Sequence, residues 1–169
     1  MSVLSEGQLS FTFSQECIAT QYDNWSFYRN QFVKTCGSVK AVDMICIHKD
    51  VTWLIEIKDY RRNKRTKPID LADEIALKVR DTLAGLVAAK FNANDISEQQ
   101  FAQKALEANI IRVVLHLEQV IKPSRLFPVS VNPISVMQKL KKQLKAIDAH
   151  SVIVDQNNLK PDMAWTVQG

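Results

Sequence analysis

The sequence predicts an α/β fold: a three-layer αβα arrangement whose mixed sheet is built on a central antiparallel hairpin and flanked by helices. Three observations predict it. Two apolar segments, 42–47 and 52–58, are separated by a few polar residues, and a link that short joins antiparallel strands. An amphipathic segment with helical spacing follows the second. A third apolar, β-branched segment, 110–117, comes after that crossover, which places a strand parallel to an earlier one.

Taken in order, Leu9, Phe11 and Phe13 alternate with Ser10, Thr12 and Ser14, and this period of two marks a first strand. Trp25, Tyr28 and Phe32 recur at helical spacing, predicting a helix that ends before Gly37. The hairpin follows, turning through His48, Lys49 and Asp50. Residues 59–68 form a polar, basic loop. Asp70 then caps a helix running to about residue 91, with Asp73 and Glu74 at the positive end of its dipole and Ile75, Val79, Leu83 and Leu86 on its apolar face. A second helical segment spans about 97–108, ahead of the strand at 110–117. Asn132 and Pro133 make a cap and first-turn pair. The helix they start carries Ile134, Met137, Leu140, Leu144 and Ile147 on its buried side, with Lys139, Lys141, Lys142 and Lys145 as a solvated face. Residues 150–155 hold a last short strand. Helices are expected on both faces of the sheet.

The 169 residues suffice for one domain, 1–169, with a real core, and no linker divides them. No apolar run approaches the roughly 20 residues needed to span a bilayer, and residues 1–7 do not read as a signal peptide. Cys17, Cys36 and Cys46 are odd in number and unrelated in spacing, which argues against a disulfide framework or a zinc site and for a reducing, cytoplasmic setting. A net charge of +4 is compatible with a nucleic-acid partner.

Three charges stand inside the apolar hairpin. Side chains two apart on a strand share a face, so Glu56 and Lys58 point the same way, and the neighbouring strand lies about 5 Å away. Asp43, opening the first strand, therefore falls beside Glu56. Two close carboxylates repel unless a positive group joins them. A hard cation satisfies both: Mg²⁺, with Mn²⁺ as a substitute, takes Asp43 and Glu56 as ligands, the Ile57 carbonyl as a third, and a phosphate oxygen of a substrate. Lys58 is placed to activate a bound water and to offset charge in the transition state.

Asp43, twelve further residues and Glu56-Ile57-Lys58 resemble the signature of the PD-(D/E)xK nuclease superfamily, the restriction-endonuclease-like proteins. The resemblance covers roughly residues 20–120; Val42 stands where the family often has proline. It implies a nuclease that hydrolyses DNA phosphodiester bonds in defence or repair, with Asp43 and Glu56 as metal ligands and Lys58 as the catalytic lysine. Many members carry a further acid on the first helix; Glu16 and Asp23 are the candidates, and Asp23, at the start of the aromatic helix, is preferred as a fourth catalytic residue. The alternatives are a catalytically weak binding or regulatory subunit of a larger complex and an RNase with the same site.

Beside the motif, Tyr60, Arg61, Arg62, Lys64, Arg65 and Lys67 form the expected nucleic-acid-binding segment, with cations for phosphates and an aromatic ring for a base. Lys78, on the following helix, reads first as a solvent-facing lysine. His48, His116 and His150 share no ligand spacing, and His116 reads as a core histidine. Only four glycines and no glycine-rich phosphate loop argue against nucleotide hydrolysis by this chain alone. With no separate recognition domain, specificity must come from loops, a homodimer or a partner subunit such as an ATPase; no membrane partner is expected.

Overall fold

The computed structural model describes residues 1–120 and 131–169. Its elements are β1 (Ser2–Glu6), β2 (Leu9–Phe13), β3 (Cys17–Gln21), a 3₁₀ turn (Tyr22–Asn24), α1 (Ser26–Asn30), a 3₁₀ segment (Phe32–Gly37), β4 (Met44–His48), β5 (Val51–Asp59), α2 (Leu71–Asn92), α3 (Ile96–Glu107), β6 (Ile110–Glu118), α4 (Pro133–Gln143), β7 (Val152–Val154) and β8 (Trp165–Gln168). The α/β class and the mixed sheet hold. Five strands run in the order β3-β4-β5-β6-β7; β3, β4 and β5 are successively antiparallel, and β6 and β7 continue parallel to β5.

The layering differs from expectation. Strand alternation sends Ile45, Ile47, Leu54, Val113 and Leu115 to one face, where they pack with Ile75, Val79 and Leu86 of α2, Phe101 of α3 and Leu140 of α4. Met44, Cys46, Trp53, Ile55 and Ile57 go to the other face. No described helix meets them there. A second, antiparallel sheet, ordered β1-β2-β8, covers them with Leu9, Phe11, Phe13, Trp165 and Val167. The described structure is therefore helices, mixed sheet, small sheet, rather than helices on both faces. The cause lies at the chain ends: β1 and β8 flank β2, and their pairing is invisible to local periodicity.

Two helices also differ. The aromatic segment does not form one helix. It breaks into the turn at Tyr22–Asn24, the five residues of α1 and a kinked 3₁₀ segment in which Cys36 takes a positive φ of 51°. Isolated helices this short are unstable, and α1 lacks a local side-chain cap. Its cap comes from α3: Glu98 accepts from Ser26 N at 2.6 Å and Phe27 N at 3.0 Å. In α4 the buried positions are Val136 and Leu140, with Leu144 just beyond, while Ile134 is exposed. Lys139 is not merely solvated; it bridges to Asp73 at 2.7 Å and Asp70 at 3.2 Å, tying α4 to the start of α2.

The caps read from the sequence are in place. Asp70 accepts from Ala72 N at 2.9 Å, and Asn132 accepts from Ile134 N at 3.0 Å. α2 turns a stripe of Glu74, Thr82, Gly85 and Ala89 into the protein. Gly85 is required there: a methyl group at this position would collide with the Tyr22 hydroxyl and the Phe32 ring. That close approach brings α2 within reach of the polar end of the hairpin. No described helix is long and apolar enough to cross a membrane.

Candidate functional site

The hairpin ladder pairs Met44 with Ile55, so one step further along the strands Asp43 faces Glu56. The backbone fixes this end from both sides: Tyr22 N donates to the Asp43 carbonyl at 3.1 Å, and Ile57 N donates to Asp43 Oδ2 at 2.6 Å. Ile57 thus meets Asp43 through its amide, and its carbonyl accepts from Lys58 Nζ at 3.3 Å. Glu56 is fully buried, and Lys58 Nζ bonds its Oε1. The structure brings Asp43, Glu56 and Lys58 together as expected.

It also adds a residue that periodicity alone assigns to the solvent. Lys78 of α2 is not solvent-facing. Its ammonium sits between the carboxylates, 2.7 and 2.9 Å from the two oxygens of Glu56 and 3.3 Å from Asp43 Oδ1. Position 78 lies four residues from the inward Glu74 and four from the inward Thr82, and so shares the face of α2 that the docked helix turns into the protein. Burial, and then the charge of Asp43, push the Glu56 carboxyl up to about 7. Burial opposes the charge on Lys78, but Glu56 and Asp43 outweigh it and raise its pKa.

Asp23 lies in the turn before α1 rather than on a long helix, and its side chain caps nothing. It lines a cleft of about 430 Å³ with Arg29, Lys40, Asp43, Lys67, Glu74 and Lys78. One of its oxygens is buried with no partner among the described residues, and its pKa is raised, first by burial and then by Asp43. Glu16 belongs elsewhere: it pairs with His48, at the opposite end of β4. Glu6, at the end of β1, also has a raised pKa, from burial and then from the charges of Asp43 and Asp23.

The expected Mg²⁺ site does not fit the donor set as it stands. Both oxygens of Asp43 and both of Glu56 already accept from nitrogen donors. Among the described residues no three carboxylate, imidazole or thiolate groups converge to hold a metal ion. The Ile57 carbonyl faces the Lys58 ammonium instead.

The basic loop is more self-neutralised than its composition suggests. Arg61 is clamped by Asp59, with Nη2 to Oδ2 at 2.7 Å, and donates to the Gly169 carbonyl. Lys67 donates to Glu74 Oε1 at 2.6 Å, and Arg65 approaches Oε2 at 2.8 Å as an ion pair. Arg65 also donates to the Tyr60 hydroxyl, whose ring is half-buried against the core. Burial raises the pKa of Glu74, and the bonds from Lys67 and Arg65 more than reverse this, holding it at about 2. Arg62 and Lys64 are exposed, with no ion-pair partner among the described residues. His116 is a core histidine, as expected, bonded to Glu118 at 2.9 Å.

Comparison with known proteins points away from cleavage. The chain is 36% identical over 160 residues to a cysteine–tRNA ligase of Neisseria meningitidis serogroup A / serotype 4A (strain DSM 15465 / Z2491). The match takes in 77% of this chain and 23% of that protein, so the chain spans less than a quarter of the length of the curated relative it matches. No family model matches the chain, and no solved structure matches it. The relative is by name an enzyme, and a ligase rather than a hydrolase. The expectation of a metal-dependent DNA endonuclease in defence or repair is therefore corrected, and the RNase alternative with it. An acid and Glu-x-Lys on adjacent strands specify a charged sheet end, and the same three residues serve equally well as a closed ion-pair cluster.

Proposed function

We propose that this chain is a tRNA-handling domain that takes part in aminoacylation, as part of a cysteine–tRNA ligase or alongside one. The observation that carries the proposal is the 36% identity over 160 residues to a protein of that name. Cysteine transfer is attributed by that name to the relative as a whole; the proposal assigns this chain the contact with RNA. The expected nucleic-acid partner is thus kept, with tRNA in place of DNA. The order of short helix, antiparallel hairpin, crossover helices and parallel strand supports a restriction-endonuclease-like scaffold for it, with no strand cleavage attributed to it.

Phosphate contacts supply most of the affinity for a nucleic acid, and they come from cations that are free to make them. Arg62 and Lys64 meet that requirement, since both are exposed at the tip of the loop after β5. The net charge of +4 has the right sign for steering an RNA toward them.

Fluorescence anisotropy with a labelled cysteine-tRNA transcript, set against a DNA duplex of similar length, tests the reading. Binding to tRNA is expected to weaken as salt rises. Replacing Arg62 and Lys64 together by Ala should weaken it several-fold and reduce the salt slope by about 0.7–0.9 for each phosphate that is no longer neutralised. Absence of tRNA binding at low salt, or equal binding to the DNA duplex, would overturn it.

A further inference from the structure

We infer that Lys78 is a built-in counter-cation that closes the Asp43–Glu56 pair to divalent metal ions. Two carboxylates at the end of a hairpin ordinarily call for a dication. Here α2 delivers an ammonium to the same place, within 3.3 Å of three of the four carboxylate oxygens. The fourth, Asp43 Oδ2, is held by the amide of Ile57 at 2.6 Å.

Charge and burial make the closure effective. With Glu56 ionised, the two negative charges of the carboxylates are matched by the two positive charges of Lys58 and Lys78, and the four groups are neutral together. Glu56 has no exposed side-chain surface, and the two lysines have only 15% and 14% of theirs. A dication entering here would leave two poorly solvated ammoniums beside it, and a buried charge stripped of its partner is strongly unfavourable. Mg²⁺ also keeps several waters and demands near-octahedral geometry. Lys78 Nζ already stands between the two carboxylates that would have to hold the ion. Asp23 and Glu6, the other carboxylates that feel the charge of Asp43, do not complete a set of three ligands.

The arrangement is built in by the helix. Gly85 and Thr82 bring α2 close to the polypeptide around Tyr22 and Val42: the Tyr22 hydroxyl lies against Gly85, and Thr82 Oγ1 accepts from Val42 N at 3.0 Å. That second bond anchors α2 one residue away from Asp43. The reach of Lys78 into the pair therefore follows from how α2 is docked. The inference stands on this geometry and does not rest on RNA binding.

Titration calorimetry with Mn²⁺ tests it, each protein being compared with the same protein carrying Glu56→Gln so that binding elsewhere cancels. The wild-type protein is expected to show no Glu56-dependent binding at millimolar Mn²⁺. Lys78→Met is expected to gain a Glu56-dependent site at least tenfold tighter than any in the wild type. Lys78→Gln, which keeps a polar head in the same place, is the second variant in case Lys78→Met does not fold, and far-UV circular dichroism monitors both. Glu56-dependent binding by the wild type overturns the inference. So does a failure of folded Lys78 variants to gain the site, since Lys78 would then not be what closes it.

Discussion

Glu56 and Glu74 are the same side chain in closely similar settings, and they respond in opposite directions. Both are fully buried, and each has two cationic partners: Lys58 and Lys78 for Glu56, Arg65 and Lys67 for Glu74. Yet the Glu56 carboxyl is pushed up to about 7, while Glu74 is held at about 2. Burial raises both. The first difference is depth, since Glu56 lies much further from water than Glu74, and the second is what accompanies the cations. Glu56 shares Lys78 with Asp43, a like charge across the ladder, whereas Glu74 has Arg65 and Lys67 to itself. Counting partners thus says little about a buried acid. What decides is the net charge of the whole group and how far the group lies from water.

The largest expected effect separates the two by stability. Glu74→Gln should destabilise the fold by roughly 3 kcal/mol near neutral pH, because Arg65 keeps its charge in a largely covered place while losing its counter-ion. Glu56→Gln should cost less, on the order of 1–2 kcal/mol, since it removes a charge the site holds reluctantly and leaves Asp43 to pair with Lys78, Lys58 alone losing its counter-ion. Urea unfolding of both variants decides; equal losses would break the comparison.

A second effect concerns pH. The folded-state pKa of Glu56 lies above the ordinary 4.5, so the stability it contributes is complete below 4.5 and is lost as pH rises through about 7. The folded-state pKa of Glu74 lies below 4.5, so its contribution is present above 4.5 and is lost as pH falls through about 2. The neutral limb should amount to something on the order of 3 kcal/mol. Unfolding free energies measured across this range should show Glu56→Gln flattening the neutral limb alone and Glu74→Gln the acid limb alone. A variant that flattens the other limb would refute the assignment.

The smallest effect concerns RNA. Glu74→Gln releases Lys67 and Arg65 from their shared carboxylate. Affinity for tRNA should rise a few-fold, and the salt slope should steepen by up to about 0.7–0.9 for each cation that reaches a phosphate. Unchanged affinity in a folded Glu74→Gln protein would mean that the latch holds nothing the RNA can use.

What the sequence made legible was local. The β4–β5 hairpin, the caps at Asp70 and Asn132 and the crossover helices all follow from spacings within a few residues, and all are where those spacings place them. Strands β3 and β8 escape such spacings because each is short and depends on a remote partner, while β1, joined to β2 by a tight turn, has only Val3 and Leu4 as apolar residues. β8 pairs with β2 from the far end of the chain, and β3 shows no clean alternation of burial. The aromatic spacing of Trp25, Tyr28 and Phe32 is real, since all three pack into the helix-side core, but it does not require a continuous helix. At the site, the carboxylates and Lys58 were legible because strand alternation fixes their faces. Lys78 was not, because a lysine on an amphipathic helix ordinarily faces water, and only the docking of α2 shows where this one goes. The function failed for a related reason: the motif fixes which charges meet, not what they do when they meet.

The capping of α1 by Glu98 has a consequence for how the chain folds. The two amides it secures, Ser26 and Phe27, lie more than 70 residues from their acceptor. Closing so long a loop costs entropy, so α1 is expected to order only once α3 is in place. Protection of those two amides from solvent exchange should therefore vanish with any opening that detaches α3, even while the central strands stay protected. Ser26 and Phe27 are natural reporters of whether the two halves of the chain have met.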